Sequence, residues 1–107
     1  MAIRALVHLP SPIVRGSVIE LRTTLAHPME TGHRRDGSGT LRPRDIATRI
    51  ECRLDGALVF AADLYPAIAA NPYLAFPLRA DREGELVFVW EGDNGFRHVE
   101  RRRLVLA

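Results

Sequence analysis

The central segment of the sequence runs from Ala26 to Leu54 and reads AHPMETGHRRDGSGTLRPRDIATRIECRL. In its second half the residues Ile46, Thr48, Ile50, Cys52 and Leu54 share one parity, while small or charged residues stand between them. This period of two residues is typical of a strand with one buried face. The first half is polar and rich in glycine, histidine and arginine. Loops of this length without structure of their own are uncommon in compact domains and tend to be functional or disordered, so we look for function here.

In the rest of the chain, the same alternation of apolar and polar residues predicts six more strands. The turn Asp55-Gly56 is a strong hairpin signal, so residues 57–63 should return antiparallel to the strand Ile46–Leu54. Pro77 indicates an edge strand or a bulge, and we expect a short helical turn around Ala67–Ala70. The remaining strands are predicted at Ile3–Leu9, Val18–Leu25, Tyr73–Ala80, Glu85–Glu91 and Phe96–Leu106.

These strands predict an all-β fold in one domain that covers residues 1–107. Short strands with closely spaced turn signals favour an antiparallel β-sandwich of the immunoglobulin-like or fibronectin-like kind, with a barrel as the alternative. Cys52 is the single cysteine of the sequence, so no internal disulfide can form.

The composition is that of an ordinary globular protein, with 47% hydrophobic and 26% charged residues. No apolar run approaches the ~20 residues that a membrane helix needs, so we expect a soluble protein with no membrane partner. A formal charge of only +2 argues against nucleic acid as a partner. Arg4 and His8 interrupt the place where a signal peptide would be apolar, and we expect no export signal here.

Little in the sequence supports catalysis. Cys52 shares the parity of Ile50, so we expect it to pack in the core and not to act as a nucleophile. The sequence has no glycine-rich phosphate loop, and the acidic residues Asp93 and Glu83 lie in or beside hairpin turns, where carboxylates ordinarily face solvent. We therefore predict that the protein is not an enzyme and needs no cofactor.

Two binding hypotheses remain for the polar loop. His27, Met29 and His33, with Glu30 beside them, combine imidazole and thioether ligands of the kind that suit copper, although their spacing is no specific motif. The alternative is a protein partner, because arginine is enriched at interfaces and pairs with carboxylates. An exposed, ion-paired surface explains the same arginines equally well.

A family resemblance adds to this reading. The run HPMETGHRRDG at residues 27–37 continues through Leu41, Pro43 and Ile46 to Leu54-Asp55-Gly56, and NPYLAF follows at residues 71–76. Together these segments resemble SoxZ, the small subunit of the SoxYZ sulfur carrier of bacterial thiosulfate oxidation, over nearly the whole chain.

The resemblance implies an immunoglobulin-like, non-catalytic subunit that forms a heterodimer with SoxY. In that family a cysteine on the C-terminal arm of SoxY holds sulfur intermediates, and other Sox enzymes act on the carried group. It also implies a periplasmic location reached by co-export with SoxY. A homodimer of the isolated chain through an uncovered sheet edge is a further possibility. The residues that we predict to contact a partner are His27, Met29, Glu30, His33, Arg34, Arg35, Arg42 and Arg44.

Overall fold

A computed structural model describes residues 4–107, which form seven strands and a short 3-10 turn. The strands in chain order are β1 (Ala5–His8), β2 (Val18–Leu25), β3 (Ala47–Leu54), β4 (Ala57–Asp63), β5 (Tyr73–Arg79), β6 (Gly84–Gly92) and β7 (Arg97–Leu104). They pair antiparallel in two sheets, ordered β1-β2-β5 and β4-β3-β6-β7. The predicted all-β fold is confirmed, and Ile3, the predicted start of the first strand, lies outside the described residues. Within residues 4–107 no helix is long and apolar enough to cross a membrane.

Aromatic side chains fill the space between the two sheets. Phe76 of β5 stacks on Phe60 of β4 with ring centroids 4.1 Å apart, and Phe88 of β6 lies 6.4 Å from Phe76. Trp90 and Leu21 are also buried in this core. Burial of each large apolar side chain contributes roughly 1.5–3 kcal/mol, so contacts between the sheets are the main source of stability.

β5 lies at the edge of its sheet, as Pro77 predicts. Leu25 N–H donates to Pro72 C=O at 3.0 Å, and Ala80 N–H donates to Ser17 C=O at 2.8 Å. In this alternating ladder the pair Pro77 and Glu20 falls between hydrogen-bonded pairs, so the proline nitrogen faces the open edge. The missing N–H therefore costs no bond between the strands.

Two local predictions are wrong. A bulge between Ala47 and Arg49 shifts the parity of β3, so Ala47 is fully buried while Thr48 turns outward and donates its hydroxyl to Glu91 C=O at 3.3 Å. The helical turn expected at Ala67–Ala70 does not form. A single turn closed by Ile68 N–H to Tyr65 C=O at 2.9 Å takes its place.

Candidate functional site: a hairpin arm at one end of the sandwich

Residues 27–45, which we call the arm, leave β2 and return to β3 as an irregular hairpin. Two β-bridges, Glu30 with Asp45 and Arg35 with Leu41, hold its two sides together. Glu30 and Asp45 each donate an N–H to the other's carbonyl at 2.8 Å. The long polar loop is therefore ordered, and its register places Arg35 and Leu41 on the face opposite to their neighbours in the chain.

His27 and Met29 form a buried foot for the arm, with 5% and 4% of their surface exposed. His27 Nδ1 accepts the Met29 N–H at 3.0 Å, and the Met29 sulfur accepts the Ala47 N–H at 3.3 Å. Met29 has a φ of 54°, a left-handed conformation that a non-glycine residue adopts only when its surroundings enforce it. The foot thus ties the start of the arm to the start of β3.

The surroundings of the His27 ring favour its neutral form. The ring packs edge-on against Phe96 with centroids 4.8 Å apart, and the backbone of His27 exchanges hydrogen bonds with Asn71. Burial lowers the pKa of His27 below its usual value, although Asp45, whose carboxylate lies 4.0 Å from Nε2, acts in the opposite direction. The hydrogen bond from the Met29 N–H requires the neutral tautomer that carries its proton on Nε2, which leaves Nδ1 free to accept.

Arg44 anchors the returning side of the arm to the connection between β6 and β7. Its guanidinium forms two hydrogen bonds of 2.8 Å to the Asp93 carboxylate, which also accepts the Ile46 N–H at 3.1 Å. The Arg44 bonds and the Ile46 N–H lower the pKa of Asp93. Gly32 permits this packing, because it has a φ of +85° and a Cβ at that position would lie 3.1 Å from Arg44 Cβ.

One face of the arm carries a cluster of Glu30, Arg34 and Arg42. Arg34 donates to both Glu30 oxygens, at 2.7 Å from Nη2 and 3.2 Å from Nε, and these bonds lower the pKa of Glu30. Arg42 forms a longer ion pair with the same carboxylate, with its Nε 4.0 Å from Glu30 Oε1. Two guanidinium groups thus share one carboxylate, and the cluster keeps one unit of positive charge.

The tip of the arm is held by Asp36. Its Oδ1 accepts the Ser38 N–H at 2.9 Å, the Ser38 hydroxyl at 2.6 Å and the Thr40 N–H at 3.1 Å. These hydrogen bonds lower the pKa of Asp36. Arg35 donates to Gly39 C=O at 2.8 Å and makes no ion pair within residues 4–107. The tip is therefore a formed turn that presents an uncompensated guanidinium to solvent.

The structure separates the eight predicted contact residues into four groups. Glu30, Arg34 and Arg42 come together, and His33 and Arg35 are exposed outside this cluster. Arg44 is tied to the sandwich, and His27 and Met29 form the foot. The burial of His27 and Met29 does not fit a direct contact with a partner, because both side chains are packed in the foot of the arm. These two residues position the surface that the others form.

The arm does not favour the copper hypothesis. The Nδ1 of His27 and the sulfur of Met29 already accept backbone N–H groups, and His33 is exposed beyond the foot. Residues 4–107 contain no group of three or more His, Cys, Asp or Glu side chains placed to hold a metal ion.

Cys52 lies in the core of β3, fully buried, as its parity predicts. Burial raises the pKa of its thiol to about 12. Because the thiolate is the reactive form of cysteine, this residue packs as a small apolar side chain at physiological pH.

Reasoning from the sequence missed Asp93 and Asn71, the two residues outside the arm that hold it. The prediction that Asp93 is an ordinary solvent-facing turn residue is wrong, since its carboxylate binds Arg44, which is 49 positions away. No local pattern reveals such a pair. The Asn71-Pro72 dipeptide did carry a signal, because asparagine tolerates the left-handed conformation with φ of 53° found here and its side chain can accept a backbone N–H.

The model of the family described as "Sulphur oxidation protein SoxZ" matches residues 7–102. No curated protein sequence matches the chain significantly.

Solved structures share the fold at low sequence identity. Superoxide reductase (neelaredoxin) from Ignicoccus hospitalis has a TM-score of 0.71 and 13% identity, over 98% of this chain and 81% of that one. The sulfur carrier protein SoxY from Chlorobium limicola f thiosulfatophilum has a TM-score of 0.69 and 15% identity, over 99% of this chain and 81% of that one. CHIR-AB1 has a TM-score of 0.61 and 17% identity, over 99% of this chain and 100% of that one. At these identities the likeness shows a common immunoglobulin-like sandwich and nothing about activity.

Proposed function

This chain belongs to the SoxZ family of sulphur oxidation proteins, and from that membership we propose that it is the non-catalytic subunit of the SoxYZ sulfur carrier. It acts in sulfur oxidation. In the proposed complex it forms a heterodimer with SoxY, whose C-terminal-arm cysteine carries the intermediates of thiosulfate oxidation while other Sox enzymes act on them. The observation that carries this proposal is the family match over residues 7–102.

The state of Cys52 supports a role without covalent chemistry. A carrier thiol has to reach solvent, become a thiolate and meet several enzymes in turn, whereas the Cys52 thiol is enclosed in the core with its pKa raised to about 12. The carrier cysteine then belongs to the partner, and this subunit supplies a stable body and a surface.

The arm is the part of that surface to which we assign recognition of SoxY or of the enzymes that visit it. Its foot and anchors fix its position, so docking onto it would cost little conformational entropy. Arg35 and Arg42 lie on opposite faces, and neither forms a close ion pair within residues 4–107. Guanidinium groups in this state are available to carboxylates of a protein partner or to an oxidised, anionic sulfur group.

The proposed function is tested by producing this chain together with SoxY and measuring their stoichiometry. We expect a stable one-to-one complex, and we expect the isolated chain neither to oxidise thiosulfate nor to take up copper. A chain that fails to bind SoxY, or that turns over a sulfur compound alone, would refute the proposal. Copper uptake by the isolated chain would restore the metal hypothesis.

The proposed location is the periplasm. This part of the proposal rests on the family, in which SoxY carries the export signal and brings the folded partner with it.

A further inference from the structure

The outer face of the three-stranded sheet carries an apolar row next to the arm. The strand register places Leu6 of β1 opposite Thr24 of β2, and Thr24 opposite Tyr73 of β5. Leu6 and Tyr73 each expose 60% of their surface. Single exposed apolar residues are common, but an exposed aliphatic and an exposed aromatic side chain in one row form a patch of the kind found in interfaces.

Two recesses adjoin this row, and both are lined by Leu6 and Thr24. One has a volume of about 280 Å³ and extends towards Ala26 and Asn71. The other has a volume of about 430 Å³ and extends towards His8 and Tyr73. Because the two recesses share Leu6 and Thr24, they form one shallow groove along the row. A groove can receive apolar side chains that a flat sheet cannot enclose.

The rim of the groove carries two arginines, of which one lacks an ion pair within the described residues. Arg4 lines the first recess and Arg22 lines the second. Arg22 is neutralised by Glu20, whose carboxylate lies 2.8 Å from its Nε, whereas Arg4 has no ion pair with any residue of the described range. The complementary occupant has apolar side chains that contact Leu6 and Tyr73 and at least one carboxylate for Arg4.

The groove is continuous with the arm. Ala26 precedes the arm directly, and Asn71 both lines the first recess and accepts the backbone N–H of His27 in the arm's foot. A partner that contacts the arm is thereby brought over the groove. The same sheet face ends on the far side in Val18, which is 61% exposed and does not line either recess.

We propose that this groove receives a segment of SoxY that carries apolar side chains flanked by acidic residues. The heterodimer interface then runs from the arm across the Leu6–Thr24–Tyr73 row. This inference rests on the proposed function, since it names the surface by which the same partner is held.

The test compares two ends of one sheet face. Leu6→Glu and Val18→Glu introduce the same charge at positions of nearly equal exposure, 60% and 61%. We expect Leu6→Glu to weaken SoxY binding at least about tenfold and Val18→Glu to change it by less than about twofold. Tyr73→Ser should weaken binding as well. The measurement is calorimetric titration of SoxY into each purified variant.

A charge reversal at the exposed Arg4 complements these variants. Arg4→Glu should weaken binding and flatten its dependence on salt concentration, because it removes the proposed carboxylate contact. If the wild-type chain does not bind SoxY, the proposed function fails. If the wild-type chain binds and Leu6→Glu, Arg4→Glu and Val18→Glu all bind equally well, the proposed function stands and the groove is excluded. If these groove variants lose only self-association and still bind SoxY normally, the groove is also excluded as the SoxY site.

Discussion

His27 shows how a single side chain can make the position of the arm depend on pH. Its Nδ1 accepts the Met29 N–H at 3.0 Å, and a proton on that nitrogen would place two donors face to face. Burial already lowers the pKa of the ring. Protonation therefore costs free energy in the folded state that it does not cost in the unfolded chain.

This linkage predicts a loss of stability in mild acid. Because the folded pKa of His27 lies below 6.5, the unfolded chain takes up the proton first as the pH falls. The contribution of neutral His27 is fully present above pH ~6.5 and declines as the pH falls towards and through the folded pKa. We expect the free energy of unfolding, measured by urea titration from pH 7.5 to 5, to fall more steeply in the wild type than in His27→Gln.

His33→Gln is the matched control for this measurement, because His33 is an exposed residue of the arm. It should leave the slope with pH unchanged. The carboxylates Glu30 and Asp93 have lowered pKa values, so their protonation affects stability at more acidic pH than this range. Equal slopes in the wild type and in His27→Gln would rule out His27 as the source of acid sensitivity.

At the scale of single residues, alternation predicts burial well wherever the strand is regular. Ile50, Cys52 and Leu54 lie inside as their parity requires. The prediction fails at Thr48 because a bulge adds one residue to β3. The bulge sits where β3 meets the foot of the arm, and the contacts that surround it come from other elements.

At the scale of elements, the arm is a hairpin whose order depends on residues outside it. Asp93 holds Arg44, and Asn71 holds His27. These partners lie 49 and 44 positions away from the residues that they bind. The sequence predicted a long polar segment at the correct place, but its conformation could not be predicted because no local periodicity encodes such distant hydrogen bonds.

The arginines of the arm can be tested directly as a surface that binds a partner. The double variant Arg35→Glu/Arg42→Glu reverses the two guanidinium groups that lack close ion pairs within the described residues. We expect about a tenfold loss of affinity for SoxY, or a comparable slowing of the Sox enzymes that act on the complex. Titration calorimetry and steady-state rates with the reconstituted complex measure the two effects.

Arg103→Glu controls for a general effect of charge. Arg103 is exposed and makes no ion pair within residues 4–107. In the register of β6 and β7 it lies opposite Glu85, at the end of the sandwich away from the arm. It should leave both measurements unchanged. Unchanged affinity and rates in the arm variant would remove Arg35 and Arg42 from recognition, while a loss of equal size in Arg103→Glu would indicate a non-specific effect of charge.

At the scale of the whole molecule, the arm and the groove make one end of the sandwich different from the other. The molecule measures 57 × 26 × 22 Å, with a radius of gyration of 16.2 Å. A compact domain of this length has a radius of gyration of about 13 Å, so the chain is clearly elongated. A long body with its proposed contacts at one end leaves the other end free when SoxY is bound.

Export concerns the folded pair as a unit. If SoxY brings this subunit to the periplasm, the amount found there depends on whether the two chains associate before transport. The chain produced alone should stay in the cytoplasm, and it should appear in the periplasm when SoxY is produced with it. Fractionation followed by immunoblotting measures the distribution.

Two controls test the dependence on SoxY. SoxY without its export signal should retain both chains in the cytoplasm. Leu6→Glu should lower the periplasmic share of this subunit, while Val18→Glu leaves it unchanged. Periplasmic accumulation of the chain in the absence of SoxY would contradict co-export.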